Sequence, residues 1–357
     1  MRIPPSALFL VVAAVASDLV PALAPSTSIV GRLVTVALVV ILFDGGAAIG
    51  WRRFRAASIP IVSLGVPGTF ATAGLVTVFA HVALGTGWLT AGLLGAAVAP
   101  TDPAVVFSVL GRHPVHGRAR TILEGESGAN DPVGIALMLG LIALATHPDS
   151  SFWIVVRVFG EQIAVGLLVG VAGGLLERRL LRVGWFRTLV LVAIVYLVAD
   201  VAHGSGFLAV FVMGLVVGDI EAPSQALQDR VASAAEIVAF VALGLTIHIS
   251  GIGAGRWGEG LALAAFAALV ARPVIAGALL APVKLRHGER LFVVWGGLKG
   301  AVPILLAAFA VTHHVHDATR IYETVFVVVL ASVVVQGGTI PAAARRLTLR
   351  PRAERVA

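Results

Sequence analysis

The sequence predicts an all-α polytopic membrane protein of about twelve transmembrane helices. Three observations carry this expectation. The composition is too apolar for a soluble domain, apolar runs of membrane-spanning length follow one another along the chain, and basic residues gather in alternate gaps between them. Apolar residues make up 58% of the 357 and charged residues 13%, about half the roughly 25% of soluble domains. A soluble fold keeps a large wetted exterior, so lipid has to act as a second solvent here. The net charge of +7 forms no groove for nucleic acid, because Lys and Arg lie in short clusters between apolar runs. There is no cysteine, which excludes disulfides and thiolate metal sites.

The runs fall at 5–24, 30–50, 58–81, 88–111, 119–146, 152–180, 186–202, 205–220, 231–253, 258–282, 290–313 and 320–341. The first carries Ala14-Val15-Ala16, a tripeptide like a signal-peptide cleavage site. Apolar character continues through Leu23, so this run is read as a retained helix. Spans 7 and 8 are short and separated only by His203-Gly204-Ser205. No linker interrupts the series. Residues 1–341 are therefore one transmembrane domain, with core elements around 88–146 and 258–313, and residues 342–357 are a short basic tail. Arg52, Arg53 and Arg55 follow span 2, and Arg112, Arg118 and Arg120 follow span 4. Arg178, Arg179, Arg182 and Arg187 follow span 6, Lys284, Arg286 and Arg290 follow span 10, and the tail follows span 12. The gap after span 8 is acidic (Asp219, Glu221, Asp229), and Arg32, Arg256 and Arg320 are strays. The positive-inside rule then places both termini in the cytoplasm of a multi-pass protein of the cell (inner) membrane.

An ionisable side chain in the bilayer core costs at least ~2.5–3.5 kcal/mol on insertion scales, so each needs a partner or a function. Span 4 carries Thr101-Asp102-Pro103 near its middle. Proline removes a backbone donor and disfavours helix at the preceding residue, so the helix is expected to open there and present carbonyls beside a hydroxyl and a carboxylate. Such hard oxygens suit a dehydrated alkali cation, and broken midplane helices are how many secondary transporters build ion sites. The structural alternative is a plain proline kink beside a paired Asp. Span 5 carries Glu126-Ser127-Gly128-Ala129-Asn130-Asp131-Pro132. Spacing of i,i+4 sets Glu126 over Asn130 and Ser127 over Asp131, roughly 10–16 Å below the cytoplasmic end. Desolvation raises the pKa of a carboxylate in such a place and a nearby cation lowers it. A group balanced between the two can exchange a proton for a cation, which is the minimal mechanism of antiport.

Three further charges sit in spans: Asp44 in Phe43-Asp44-Gly45-Gly46, Arg272 before Pro273, and Lys299 in Gly297-Leu298-Lys299-Gly300-Ala301-Val302-Pro303. Glu126 is the candidate partner of Arg272, and Lys299 has snorkelling to the cytoplasmic surface as its structural alternative. Asp18 and Asp200 read as boundary residues. Span 11 is like span 4 in its glycines and mid-span proline. An offset of seven spans reverses direction in the membrane, so the two would cross as an inverted pair.

Taken together, the Thr101, Glu126–Asp131, Asp44 and Gly297–Pro303 motifs resemble the cation:proton antiporter-1 family, and most closely its bacterial NhaP-type potassium/proton members. The resemblance covers nearly the whole chain, with four motifs in the right order. It implies an inverted-repeat fold in which two unwound helices cross, with a dimerisation domain and a mobile core, and hence a homodimer. By the same resemblance Asp131 alternates between cation and proton. Thr101, Ser127 and Asp44 complete the cation shell, with Asp44 acting directly or through Asn130 or water. Asn130 before Asp131 is the pairing associated with electroneutral exchange, Glu126 and Arg272 hold the core together, and Asp102 and Lys299 neutralise helix ends at the crossing. Three departures stand out. Ile3-Pro4-Pro5 aligns with the start of the family's second helix, so its first is expected to be missing. Lys replaces the usual Arg at 299. The cytoplasmic regulatory domain common in potassium-type members is not expected.

The partners so implied are protons, K⁺ or Na⁺ and the lipid bilayer, with no cofactor, no nucleic acid and no resident metal beyond the transported cation. A passive cation channel would share the acidic lining. An intramembrane serine protease of rhomboid type would use Gly125-Glu126-Ser127-Gly128, but it needs a histidine such as His203 or His248 beside Ser127 and leaves Asp131, Asp44 and Thr101 without purpose. Gly253-x-Gly255-x-x-Gly258 follows no strand and makes a poor dinucleotide site. His113 and His116, and His313, His314 and His316, read as interfacial histidines, the first two being candidates for cytoplasmic pH sensing.

Overall fold

Backbone amides that face lipid must be satisfied within the chain, and every regular element among the described residues is a helix. The computed structural model describes residues 5–20, 22, 25–102, 118–147, 151–180, 185–219 and 225–347. Pro103 and the rest of span 4, Arg112, His113, His116, Arg182, Glu221 and the tail arginines Arg350, Arg352 and Arg355 lie outside the described residues.

The helices are α1 (Pro5–Leu19), α2 (Thr27–Ala56), α3 (Ser58–Gly65), α4 (Pro67–Leu84), α5 (Trp88–Val98) and α6 (Arg118–Thr146). They continue with α7 (Trp153–Leu180), α8 (Trp185–Val201), α9 (Gly206–Val217), α10 (Gln225–Gly244) and α11 (Ala254–Phe266). The last five are α12 (Arg272–Leu280), α13 (His287–Trp295), α14 (Ala301–Thr312), α15 (Ala318–Ala331) and α16 (Gly338–Arg346). Among the described residues, six stretches are long and apolar enough to cross a membrane: Ile29–Ala56, Ser58–Leu84, Arg118–Thr146, Trp153–Arg179, Ala254–Leu280 and Ala318–Arg346. Within the described residues, the predicted spans coincide with single helices or with consecutive helical pieces. Span 9 differs most, since α10 begins earlier, at Gln225, and stops at Gly244. Beyond it α1 holds the chain in a loop: Ser17 Oγ donates to the Leu245 carbonyl (3.0 Å) and Asp18 accepts the Ser250 N–H (2.9 Å).

Each interruption has a local cause. Gly50 adopts φ 68° within α2, a left-handed value that favours glycine, and the Asp219 carboxylate accepts the Arg52 N–H just beyond it. Pro67 opens α4 after Val66. Pro273 follows a π turn over Ala267–Ala271, where the ladder widens to absorb the missing donor. A second π turn, Ser332–Gly337, joins α15 to α16. Between α8 and α9 the turn is closed by Ser205, whose hydroxyl accepts the Leu208 N–H (3.1 Å).

Packing divides the helices into two groups. α1, α2, α7, α8, α9 and α10 lie together, as do α3–α6 with α11–α16; α6 and α14 touch both groups. In the first group α2 and α9 meet backbone to backbone. A Cβ on Gly46 would fall on the Phe211 carbonyl and one on Gly214 on the Phe43 carbonyl, the close approach that small residues permit between membrane helices. Ile59, Leu168, Phe186 and Val201 point outwards, whereas Glu126, Asn130, Asp131, Arg272 and Lys299 are buried. That polarity is inside out for water and right for lipid.

Candidate functional site

The site grows from two interrupted helices. α5 ends at Val98, and Pro100-Thr101-Asp102 leave the helix, so carbonyls at its C-terminal end lose their partners. Lys299 supplies donors: Nζ lies 3.0 Å from the Ala99 carbonyl and 3.1 Å from that of Pro100. Lys299 stands in the second interruption, Gly296–Gly300, between α13 and α14. It is buried and turned into the protein, so its side chain does not snorkel. The two breaks bond directly, Asp102 N–H to the Leu298 carbonyl at 2.7 Å. The Asp102 carboxylate packs on Gly300, where any Cβ would overlap it, immediately before the first turn of α14. A cation thus meets the negative end of α5 and an anion the positive end of α14, each where the helix dipole favours it.

α6 brings the remaining polar groups to this crossing. Thr101, Ser127, Asn130 and Asp131 are all at most 5% exposed. Asn130 Nδ2 donates to Thr101 Oγ1 (2.8 Å), joining α6 to the first break. Ser127 lies one turn before Asp131 on α6, which puts its hydroxyl on the same face as the carboxylate. Asp131 Oδ1 and Asn130 Oδ1 are buried without a hydrogen-bond partner among the described residues. Buried acceptors are rarely left so, and two of them beside two hydroxyls make a set of hard oxygen donors open to a small cation or a proton.

Glu126 lies on the same helix and faces another partner. The Arg272 guanidinium grips it with both Nη atoms, Nη2 to Oε2 at 2.8 Å, and Arg272 also donates to the Val293 carbonyl (3.0 Å) at the end of α13. One guanidinium therefore ties α6, the π turn before α12 and the first half of the second broken helix. Asp44 is half-buried on α2, in the other helix group, whose α2 packs against α6.

Sequence reasoning passed over the groups that brace the second break. Ser332 Oγ accepts the Lys299 N–H (2.9 Å) and donates to Gln336 Oε1 (2.7 Å), and Gln336 Nε2 reaches the Trp295 carbonyl (3.4 Å). Their i,i+4 spacing inside span 12 was the available signal. Two of the three stray arginines also find partners. Arg256 and Arg320 both pair with Glu259, at 2.8 and 2.7 Å. His248 sits against Asp18 (3.5 Å) and not against Ser127, so the protease arrangement is not formed with it.

Comparison with known proteins follows from this geometry. The profile of the family described as "Sodium/hydrogen exchanger, transmembrane" matches residues 1–346. The chain belongs to this family. A K(+)/H(+) antiporter NhaP of Alkalimonas amylolytica is 36% identical over 328 residues, covering 88% of this chain and 57% of the relative. A K(+)/H(+) antiporter NhaP2 of Shewanella oneidensis is 34% identical over 325 residues, covering 87% and 56%. The chain thus spans just over half the length of these relatives. A Na(+)/H(+) antiporter NhaH of Halobacillus aidingensis is 26% identical, over 89% of this chain and 83% of its own. Among solved structures, the sodium proton antiporter MjNhaP1 of Methanocaldococcus jannaschii at pH 8 superposes with a TM-score of 0.79 at 21% identity, covering 97% of this chain and 92% of that one. The fold is that of a sodium/proton antiporter.

Proposed function

We propose that this chain is a secondary antiporter that exchanges protons for K⁺ or Na⁺ across the cell membrane by alternating access, one for one. The observation that carries the reading is the buried Asp131 carboxylate with an unpartnered oxygen, beside the Asn130 amide oxygen and the Ser127 and Thr101 hydroxyls, at the crossing of two broken helices. An ionised Asp131 without a counter-ion is costly at the bilayer centre. Either a proton or a monovalent cation neutralises it, and the two compete for the same oxygens. Only a neutralised site crosses readily, so passage of one ion in one direction requires return with the other.

In this reading Asp131 is the exchanging carboxylate, and Thr101 and Ser127 are cation ligands. Asn130 orients Thr101 and offers its amide oxygen, and Asp44 contributes from α2. Lys299 and Asp102 hold the crossing, and Glu126 with Arg272 holds the core. The basic gaps support an orientation with both termini in the cytoplasm, and we propose a homodimer as the assembled form. The names of the relatives lean the cation towards K⁺. The test is proton movement in proteoliposomes with an internal pH dye, adding Na⁺, K⁺ and Li⁺ in turn with and without a clamped potential. Cation-driven collapse of the pH gradient that is indifferent to potential is expected. Tracer cation flux without proton movement would replace this reading by a channel.

A further inference from the structure

The hydrogen bonds and ion pairs described above run within one helix group or the other. Thr246 and Tyr322 make one that runs between them. Thr246 follows the last turn of α10, in the first group, and Tyr322 lies near the start of α15, in the second. The direction of the bond is fixed. Thr246 has one hydroxyl proton, and it goes to the Leu243 carbonyl (2.7 Å), so Tyr322 is the donor and Thr246 Oγ1 the acceptor. Each end is anchored in its own group. Behind Thr246, Ser17 of α1 holds the Leu245 carbonyl (3.0 Å), and a Cβ on Gly244 would strike the Leu10 carbonyl. Beside Tyr322, Arg320 pairs with Glu259 of α11 (2.7 Å) and donates to the Leu84 carbonyl at the end of α4 (3.3 Å). Ser332, which holds the Lys299 N–H, lies about 15 Å further along α15 and its π turn. Spans 9 and 12 reach the level of the hydroxyl pair at the ends that the basic gaps assign to the non-cytoplasmic side. The bond thus fastens the seam between the groups on one side of the crossing.

We propose that the Tyr322–Thr246 hydrogen bond is a latch that holds the chain in its cytoplasm-facing state and opens each time the site turns outward. The proposal rests on the antiport reading and on the orientation given with it. A bond across the seam that is made in one state and broken in the other biases the two populations by its own net strength. For a neutral hydrogen bond that is about fivefold. Apparent affinity on each side of the membrane scales with the fraction of molecules open to that side. The ratio of the apparent KM for cation on the outer face to that on the cytoplasmic face therefore reads the latch directly. A hydroxyl pair that only fills its place alters stability or maximal rate and leaves this ratio alone.

The experiment measures cation-driven proton exchange by the full chain in right-side-out and everted membrane vesicles, titrating K⁺ and Na⁺ on the exposed face. It compares the parent, Asp131→Asn, Tyr322→Phe, Thr246→Val, Thr246→Ser and the double variant Tyr322→Phe with Thr246→Val. The outer-to-cytoplasmic KM ratio is expected to fall about fivefold in Tyr322→Phe and in Thr246→Val. It should fall no further in the double variant and stay near the parent's in Thr246→Ser, which keeps the acceptor. The two single variants delete one bond from opposite ends, so either decides if the other does not fold. An unchanged or raised ratio in a folded single variant overturns the proposal, as does a double variant whose change is the product of the singles. A parent that exchanges no cation for protons, or an Asp131→Asn variant that exchanges normally, defeats the underlying antiport reading instead. Either result is visible before any latch variant is compared.

Discussion

Replacing Arg272 by alanine strips the Glu126 carboxylate of both guanidinium hydrogen bonds while leaving it 2% exposed. An uncompensated partner of a broken buried pair costs about 3–5 kcal/mol. Screening earns no discount, because the two side chains are only 8% and 2% exposed. The Val293 carbonyl also loses its donor, which adds about 1 kcal/mol. The total is roughly 4–6 kcal/mol. For a chain of 357 residues at ~2.1 cal/mol/K each, the unfolding entropy is about 0.75 kcal/mol/K, so melting should fall by roughly 5–8 °C. Glu126→Ala should cost a similar amount. The double change Glu126→Leu with Arg272→Met should recover most of it, since no charge is then left unpaired. Melting of detergent-solubilised protein, followed by size-exclusion chromatography of the surviving fraction, reads all four forms. Single variants that melt within about 2 °C of the parent, or a double variant that loses the sum of the singles, would refute the argument.

Three other substitutions test neighbouring parts. Asp131→Asn should remove cation-driven proton exchange, a loss of at least about 100-fold, with an elution profile like the parent's; parental rates in vesicles would unseat Asp131. In Gly300→Ala the new methyl lands on the Asp102 carboxylate, and the forced displacement should cost about 1–3 kcal/mol and slow exchange, whereas parental melting and rate would mean the crossing is slack. Ser332→Ala leaves the buried Lys299 N–H without its acceptor and should cost about 1–3 kcal/mol by the same melting assay, while Ser332→Thr should cost less; equal values for the two would count against the hydrogen bond.

What the sequence disclosed depended on how local the physics was. Glu126, Ser127, Asn130 and Asp131 declared themselves because a helix sets i and i+4 side by side, and Thr101-Asp102-Pro103 because proline acts on its immediate neighbour. The all-helical membrane fold was legible for the same reason, as apolar length alone marks its spans. Contacts between distant segments were not. Lys299 could be read as snorkelling from its depth in the span, but its ammonium meets carbonyls about 200 residues away, at Ala99 and Pro100. Ser332 and Gln336 lay unremarked in an apolar run because uncharged polar residues cost little there on average, and only the fold reveals that they brace the second break.

The reciprocal ties at the crossing have a mechanical consequence. With Lys299 holding α5 and the Asp102 amide holding Leu298, neither broken helix can slide along its axis without dragging the other. The two gaps behave as a rivet and not as a pair of independent hinges. In the proposed exchange, motion that exposes Asp131 to either side would be shared by every element fastened to that rivet, α6 through Asn130 and Thr101 and the π turn after α15 through Ser332.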